Sequence, residues 1–191
     1  MRYEVGIAGG GGQGIVLMGT ILAEAVALDE KLYVAQTQSY DPAVRGGRAE
    51  AGLVISDEEI DYPDAMELDL MVALNQAGYE RNEGKLKRDA LVVVDNDLVN
   101  HIVWRKILRI PFTAMARDKF KDERVANMIA TGALTNVCKY FGTSALENSI
   151  SSTFDKTLLD LNLSAFYVGV EHGAKALSSG FDSVEEEDIE I

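Results

Sequence analysis

The chain has 191 residues, of which 47% are hydrophobic, and a formal net charge of −13 at pH 7. This length and apolar content predict one domain with a buried core, with or without a helical extension. The acidic balance argues against nucleic-acid binding. No stretch approaches the ~20 apolar residues that span a bilayer, and no basic-then-apolar signal pattern opens the chain. We therefore expect a cytoplasmic protein without membrane contact.

Few residues offer catalytic or metal-binding chemistry. The single cysteine, Cys138, excludes an internal disulfide, a cysteine-ligated iron-sulfur cluster and a thiolate zinc site, and is expected in the core. His101 and His172 are far apart and lack ligand spacing, so surface or capping roles are expected. No serine lies in a nucleophile elbow. The sequence therefore predicts neither a catalytic residue nor a metal ligand in this chain.

A glycine cluster lies between a predicted strand and a predicted helix. Glycines there allow positive φ and close approach of a ligand, and the N-terminus of the following helix favours an anion such as phosphate. We expect the backbone amides of this loop to be exposed. A tight strand-to-helix turn without a ligand is an equally good interpretation. The candidate cofactor-binding residues of this loop are Gly9, Gly10, Gly11, Gly12, Gln13 and Gly14.

The same loop can be aligned with the dinucleotide fingerprint G-x-G-x-x-G, using Gly9, Gly11 and Gly14. Strand and helix flank it as the fingerprint requires. However, the fingerprint also expects an acidic residue near the end of the second strand, and the segment 32–38 ends without one. Nicotinamide or flavin binding is therefore a minor alternative.

Hydrophobic periodicity predicts an α/β fold. The second and third strands are joined by about ten residues without a helix, so they should pair antiparallel and make the sheet mixed. Pro111 places the last strand near an edge. Predicted strands are 3–8, 32–38, 49–56, 68–74, 91–94 and 107–112, with helices at 13–28 and 75–81 and a turn or short strand at 84–87.

The second half of the chain is predicted to be helical. An apolar stripe runs from Val125 to Val137, and helices are expected at 146–153 and 156–176. Without a linker between the halves, we predict one three-layer α/β/α domain over residues 1–180, with a mixed, mostly parallel, Rossmann-like sheet and a C-terminal helical segment. Residues 181–191 form an acidic tail that is expected to be disordered.

Polar residues follow two of the predicted strands. The loop 39–48 should begin beside the glycine loop, and Arg45 and Arg48 flank two glycines there, which suits an anion pocket. Pairing of these arginines with local acids such as Glu50 is the equal alternative. The triplet 95–97, Asp-Asn-Asp, is expected to cap the next helix rather than to bind a metal or ribose. The candidate binding residues of the 39–48 loop are Ser39, Tyr40, Arg45, Gly46 and Gly47.

Five blocks of the chain form a recognisable series, at residues 7–16, 36–47, 54–63, 127–134 and 161–166. In this order and spacing they resemble the γ subunit of the 2-oxoacid:ferredoxin oxidoreductases. The sequences of Thr37 to Tyr40 and Arg45 to Gly47 are closer to those of the 2-oxoglutarate or branched-chain enzymes of this family than to those of the pyruvate enzymes. Asp41 departs from a glycine that is common in the family. The resemblance covers nearly all of the chain except the acidic tail.

The resemblance implies a domain of the pyruvate-ferredoxin oxidoreductase domain III type within an enzyme complex. Such a complex oxidatively decarboxylates a 2-oxoacid, here expected to be 2-oxoglutarate, to an acyl-CoA and passes the electrons to ferredoxin. This chain lacks the Gly-Asp-Gly and asparagine segment that holds Mg and thiamine diphosphate, and it lacks cluster cysteines. These cofactors are therefore expected in partner α, β and δ subunits, with no cofactor bound tightly by this chain.

The contribution expected of this chain is architecture and part of the CoA site, or closure of the active-site entrance, through the glycine loop and the 39–48 loop. Two other hypotheses remain at this point. The chain could be a stand-alone nucleotide-binding oxidoreductase with a Rossmann-like fold, or a purely structural subunit. NADH titration and substitution of Arg45 separate these alternatives.

Overall fold

The computed structural model of the chain describes residues 1–40 and 47–182. Its strands are β1 Arg2–Gly10, β2 Tyr33–Tyr40, β3 Arg48–Ser56, β4 Leu68–Ala73, β5 Leu86–Asp95 and β6 Ile107–Ile110. Its α-helices are α1 Ile15–Ala27, α2 Gln76–Asn82, α3 Phe112–Met115, α4 Ala126–Leu134, α5 Thr143–Thr153 and α6 Lys156–Ser179. Short 3-10 turns at Glu83–Lys85 and Glu123–Val125 and a π-helical turn at Ala116–Phe120 connect them. No helix in these ranges is long and apolar enough to cross a bilayer.

The six strands form one mixed sheet in the order β2-β3-β1-β4-β5-β6. β3 pairs antiparallel with both β1 and β2, whereas β1, β4, β5 and β6 pair parallel. The predicted α/β class, the mixed sheet, the antiparallel second and third strands and the edge position of the last strand are confirmed. Most strands share one direction because only β3, which returns directly from β2 without a crossover helix, runs the other way.

The two faces of the sheet are covered unequally. Alternate residues of β1 and β3, such as Val5, Ile7 and Leu53, face the large core that α1, α4, α5 and α6 close. The other face has a smaller core, built around Met71, Val94 and Tyr79, under α2 and the segment 98–104. The predicted three layers are therefore present, but the second helical layer reduces to one short helix and an irregular segment.

Several predicted boundaries need correction. Ser39 and Tyr40 were expected in a loop but end strand β2, because they pair with Glu50 and Ala49 of β3. The first helix begins at Ile15 rather than Gln13, because Gly14 has left-handed φ. The last strand ends at Ile110, and Phe112 starts α3. Residues 183–191 of the predicted tail lie outside the described residues, while Asp182 bridges Ile107 beside β6. The domain boundary at 180 stays a prediction.

One buried carboxylate ties the start of β1 to the loop before β4. Glu4 accepts hydrogen bonds from Arg2 Nε at 2.6 Å, from the Met66 amide at 2.5 Å and from the Glu67 amide at 2.8 Å. Burial of Glu4 acts to raise its pKa, but these three donors outweigh it, so the pKa lies below its usual value. The ionised form of Glu4 is therefore the one that the fold stabilises.

We expect the fold to lose stability in acid through Glu4. Because the pKa is lowered on folding, this contribution is complete above the usual glutamate value of 4.5 and disappears as the pH falls through the lower folded value. Glu4→Gln should lower the free energy of unfolding at pH 7 by about 1–3 kcal/mol and flatten its fall below pH 4.5. Urea unfolding at several pH values checks this, with the exposed Glu59→Gln as control. An unchanged pH profile in Glu4→Gln would contradict it.

Candidate functional site

The glycine loop lies where β1 ends and α1 begins, at the carboxyl edge of the parallel strands. In α/β sheets this edge is the usual ligand position. Gly12 and Gly14 have φ values of +90° and +69°, which side chains rarely adopt. A Cβ on Gly14 would lie 2.2 Å from Asn127 Nδ2, whereas a Cβ on Gly12 would meet nothing within 4 Å. Gly14 is thus required by packing, and Gly12 is the open tip of the loop.

The loop is held by its own side chains and by its neighbours. The Gln13 carboxamide accepts from the Gly10 amide at 2.6 Å and donates to the Leu74 carbonyl, after β4, at 3.0 Å. The Gly11 amide donates to the Gly47 carbonyl at 2.6 Å. Exposure of all the loop amides was therefore the wrong expectation, because the amides of Gly10 and Gly11 have internal partners. Gln13 closes the loop against β4.

A second carboxamide fixes the loop from the opposite side. Asn127, buried at the start of α4, donates from Nδ2 to the Gly14 carbonyl at 3.3 Å and accepts from the Met128 amide at 2.9 Å. Asn127 therefore couples the position of α4 to the left-handed turn at Gly14. Sequence periodicity assigned this region to a helical stripe and gave no signal for this contact.

A cavity of about 390 Å³ opens beside the loop. Gly11, Gly12 and Gln13 form one wall. Arg117, Glu123 and Arg124, from the segment before α4, also line it. The remaining lining residues are Leu74, Leu98, Thr113 and Ala126.

The two arginines of this cavity are exposed and have acidic neighbours. Arg117 lies 3.6 Å from Glu123, and Arg124 forms a close pair with Asp122 at 2.7 Å. Their side chains are 56% and 83% exposed, so an anion that approaches them from solvent must compete with these carboxylates. Sequence reasoning missed both arginines. The available signal was the dense run of charges at 117–124, which follows the last strand and therefore emerges at the same edge.

The structure separates the residues predicted in the 39–48 loop. Gly47 meets the glycine loop through Gly11, and Arg48 is paired with Gly10 in the sheet. Ser39 accepts from Arg48 Nη2 at 3.2 Å, and Tyr40 is 62% exposed. The end of the loop, not its start, lies beside the glycine loop, because β3 is inserted between β1 and β2. Arg45 and Gly46 lie outside the described residues.

The local acid weighed as a partner for the arginines is engaged elsewhere. Glu50 accepts from Arg81 Nε at 3.0 Å and from Asn82 Nδ2 at 3.4 Å. Arg48 lies two positions before Glu50 on β3 and instead contacts Ser39, the cross-strand partner of Glu50. Glu50 and Arg48 thus do not form the ion pair that was the alternative prediction. Pairing of Arg45 with an acid stays a prediction, because Arg45 lies outside the described residues.

The dinucleotide alternative has little support at this site. In a Rossmann fold a parallel strand carrying an acidic residue at its carboxyl end lies next to β1, but here the antiparallel β3 occupies that place. The described strand β2, Tyr33–Tyr40, contains no acidic residue, and Gln36 in its middle donates to Thr20 Oγ1 of α1 at 3.3 Å. No residue equivalent to the ribose-binding acid therefore comes from β2.

The remaining candidates have structural contacts. Asp95 is fully buried and accepts from the amide and hydroxyl of Thr113, in the first turn of α3, at 2.9 and 2.6 Å. It is not the N-cap residue of that helix, which is Pro111, so the predicted capping role corresponds only to a long-range contact with the helix start. Burial raises the pKa of Asp95. His101 is exposed, and His172 Nε2 lies 3.4 Å from Lys119 Nζ. Residues 1–40 and 47–182 contain no group of His, Cys, Asp or Glu that could hold a metal ion.

Comparison with known proteins identifies this architecture. The family model described as pyruvate ferredoxin/flavodoxin oxidoreductase matches residues 4–172. The 2-oxoglutarate synthase subunit KorC of Methanocaldococcus jannaschii is 38% identical over 175 residues, covering 90% of this chain and 94% of KorC.

Two solved structures extend the comparison. The keto/oxoacid ferredoxin oxidoreductase gamma subunit of Geobacter sulfurreducens PCA aligns with a TM-score of 0.82 and 31% identity, covering 92% of this chain and 98% of that one. A chain of the Magnetococcus marinus 2-oxoglutarate:ferredoxin oxidoreductase, solved with 2-oxoglutarate, coenzyme A and succinyl-CoA bound, aligns with a TM-score of 0.78 and 25% identity, covering 97% of this chain and 32% of that one. This chain therefore belongs to the pyruvate ferredoxin/flavodoxin oxidoreductase family, as a subunit of the gamma type.

Proposed function

We propose that this chain is the gamma subunit of a 2-oxoglutarate:ferredoxin oxidoreductase and that its glycine loop forms part of the CoA site. The complex converts a 2-oxoacid and CoA to an acyl-CoA and carbon dioxide and passes two electrons to ferredoxin. Support for the substrate class comes from the KorC relatives and from the solved complex that holds 2-oxoglutarate and coenzyme A.

The observation that carries the CoA assignment is the cavity beside the glycine loop. CoA bears a diphosphate and a 3′-phosphate, and this acidic chain needs a local positive surface to approach them. Arg117 and Arg124 line the same cavity as Gly11 and Gly12 and supply that charge. A phosphate would compete there with Glu123 and Asp122, their present partners. The N-terminus of α1 adds its dipole to the same edge. Arg45, which precedes Gly47 by two residues, is the further candidate contact.

The cofactors of the reaction do not fit this chain. A cysteine-ligated cluster needs several thiolates, and the chain has only Cys138, which is buried. We propose that thiamine diphosphate, Mg and the iron-sulfur clusters belong to partner α, β and δ subunits in the cytoplasm. The residues of this chain then bind and orient CoA, shape the entrance and hold the subunits together.

Arg45→Ala in the assembled complex tests the CoA assignment. Loss of one charge-assisted phosphate contact should raise the KM for CoA about tenfold and leave kcat nearly unchanged. Arg88→Ala is the matched control, because Arg88 is exposed on the first half of β5, away from the carboxyl edge. If the Arg45→Ala complex assembles fully and its KM for CoA is unchanged, the CoA assignment is contradicted and the purely structural role is supported.

NADH fluorescence titration of the isolated chain tests the stand-alone alternative. The missing ribose-binding acid and the antiparallel β3 lead us to expect no saturable change in NADH fluorescence. The known dinucleotide-binding response of a dehydrogenase, measured under the same conditions, is the positive control. Saturable binding at micromolar NADH would support the nucleotide-binding alternative instead.

A further inference from the structure

The sheet has one protected edge and one open edge. β6, at one end, is only four residues long, is followed by Pro111 and is bridged by Asp182. β2, at the other end, is eight residues long and pairs with β3 in continuous register without a bulge. In the described part of the chain no strand pairs with the outer side of β2.

β2 lacks the features that usually protect an edge strand. Proteins guard such edges with charges, prolines, bulges or short length. The β2 sequence, YVAQTQSY, contains no charge and no proline. Tyr33 and Tyr40, at its two ends, are 53% and 62% exposed. The outer side of β2 thus presents unpaired backbone donors and acceptors that suit the addition of another strand.

The side chains of β2 divide between the two faces of the sheet. Val34 and Gln36 share the face of α1, since Gln36 contacts Thr20 of that helix. By the alternation of a strand, Gln38 and Tyr40 share that face as well. The opposite face carries Tyr33, Ala35, Thr37 and Ser39.

β2 is complementary to itself in one antiparallel register. Two sheets joined edge to edge about a two-fold axis keep their faces continuous, so opposing residues must belong to the same face. When Thr37 opposes Thr37, Gln36 opposes Gln38, Ala35 opposes Ser39 and Val34 opposes Tyr40. The Thr37 pair joins two hydroxyls, and the Gln36–Gln38 pair joins two carboxamides. The other two pairs join small residues and apolar residues respectively, and all four combinations are favourable cross-strand neighbours.

Among contacts between two copies, charge repulsion is smallest at this edge, because β2 carries no charge. The chain carries a net charge of −13, so most contacts between copies place acidic surfaces against each other. The uncharged β2 avoids this repulsion at the contact itself. We propose that two copies of this chain pair through β2, antiparallel and with Thr37 on the two-fold axis, and so form a continuous twelve-stranded sheet.

Disulfide mapping tests this register in the full chain and in the assembled complex. Opposing Cα atoms of antiparallel strands are ~4.5–5.5 Å apart, within disulfide range. Thr37→Cys should form a disulfide-linked dimer under mild oxidation. Ala35→Cys and Ser39→Cys should each stay monomeric on a nonreducing gel, whereas the double variant should cross-link. The unsubstituted chain is the control, since its Cys138 is buried and burial raises the pKa of that thiol.

Sedimentation analysis supplies a second readout that does not need cysteines. The unsubstituted chain should sediment as a dimer, and Thr37→Lys, which places like charges on the axis, should shift it to a monomer of unchanged circular dichroism. Preferential cross-linking of Gln36→Cys or Gln38→Cys to itself would overturn the register. A monomeric chain, or cross-links from Thr37→Cys only to a different subunit, would overturn the proposal.

Discussion

Gly169→Ala is expected to unfold this subunit or to cost at least about 3 kcal/mol of stability. α4 and α6 cross so closely that a Cβ on Gly169 would lie 1.9 Å from the Ile129 carbonyl oxygen. A Cβ on Gly132 would lie 1.9 Å from the Phe166 carbonyl oxygen. Both obstacles are backbone atoms, so no rotamer change relieves them and the helices must separate. Separation opens a gap in the main core, where Ile129 and Phe166 are buried.

Helix propensity acts in the opposite direction and strengthens this test. Alanine in a helix interior is favoured over glycine by about 1 kcal/mol, so any measured loss arises from the clash. Gly84→Ala is the matched control, because Gly84 is exposed and a Cβ there meets nothing within 4 Å. Urea unfolding of the three proteins measures the difference. A stability of Gly169→Ala equal to that of Gly84→Ala would show that the helices do not cross at this distance.

Gly14→Ala is expected to lose about 3 kcal/mol of stability and to weaken CoA binding in the complex. A non-glycine residue at φ +69° costs about 1–2 kcal/mol in backbone strain. The new Cβ also collides with Asn127 Nδ2, which breaks the contact between α4 and the loop. The loop and Arg124, just before α4, both line the cavity, so this change should alter its shape.

Gly12→Ala separates strain from collision. Gly12 also has positive φ, but a Cβ there meets nothing within 4 Å. We expect Gly12→Ala to lose only about 1 kcal/mol in urea unfolding, the strain part of the Gly14→Ala effect. Asn127→Ala should in turn lessen the cost of Gly14→Ala, which a double-mutant cycle measures. Equal losses at Gly12 and Gly14, or strict additivity with Asn127→Ala, would contradict the proposed contact.

Local sequence patterns were sufficient to predict much of the sheet. The apolar run at Leu91–Val94 became the buried half of β5, and Pro111 marked the end of β6 at an edge. The short connection after β2 gave the antiparallel pair with β3. In each case the evidence was contained within about ten residues, where hydrophobic period and backbone constraints act.

The arrangement of the site depends on contacts that are distant in sequence. The insertion of β3 between β1 and β2 decides that Gly47, rather than Ser39, meets the glycine loop. The contact of Asn127 with Gly14 spans 113 residues. Arg117 and Arg124 reach the cavity only because α3 and the turns after it fold back over the carboxyl edge. Such long-range contacts leave no periodic pattern of hydrophobic residues in the sequence. The glycine loop could therefore be predicted, but the cavity residues Arg117 and Arg124 could not.

Affinity capture of this chain from its native cells, followed by an assay of CoA-dependent reduction of ferredoxin or viologen, tests the central claim most directly. We expect a thiamine-binding pair and a cluster protein to copurify. The complex should reduce the acceptor with 2-oxoglutarate and require CoA, with little activity on pyruvate. Capture of the chain alone, without activity toward any 2-oxoacid, would contradict its role as a gamma subunit of such an oxidoreductase.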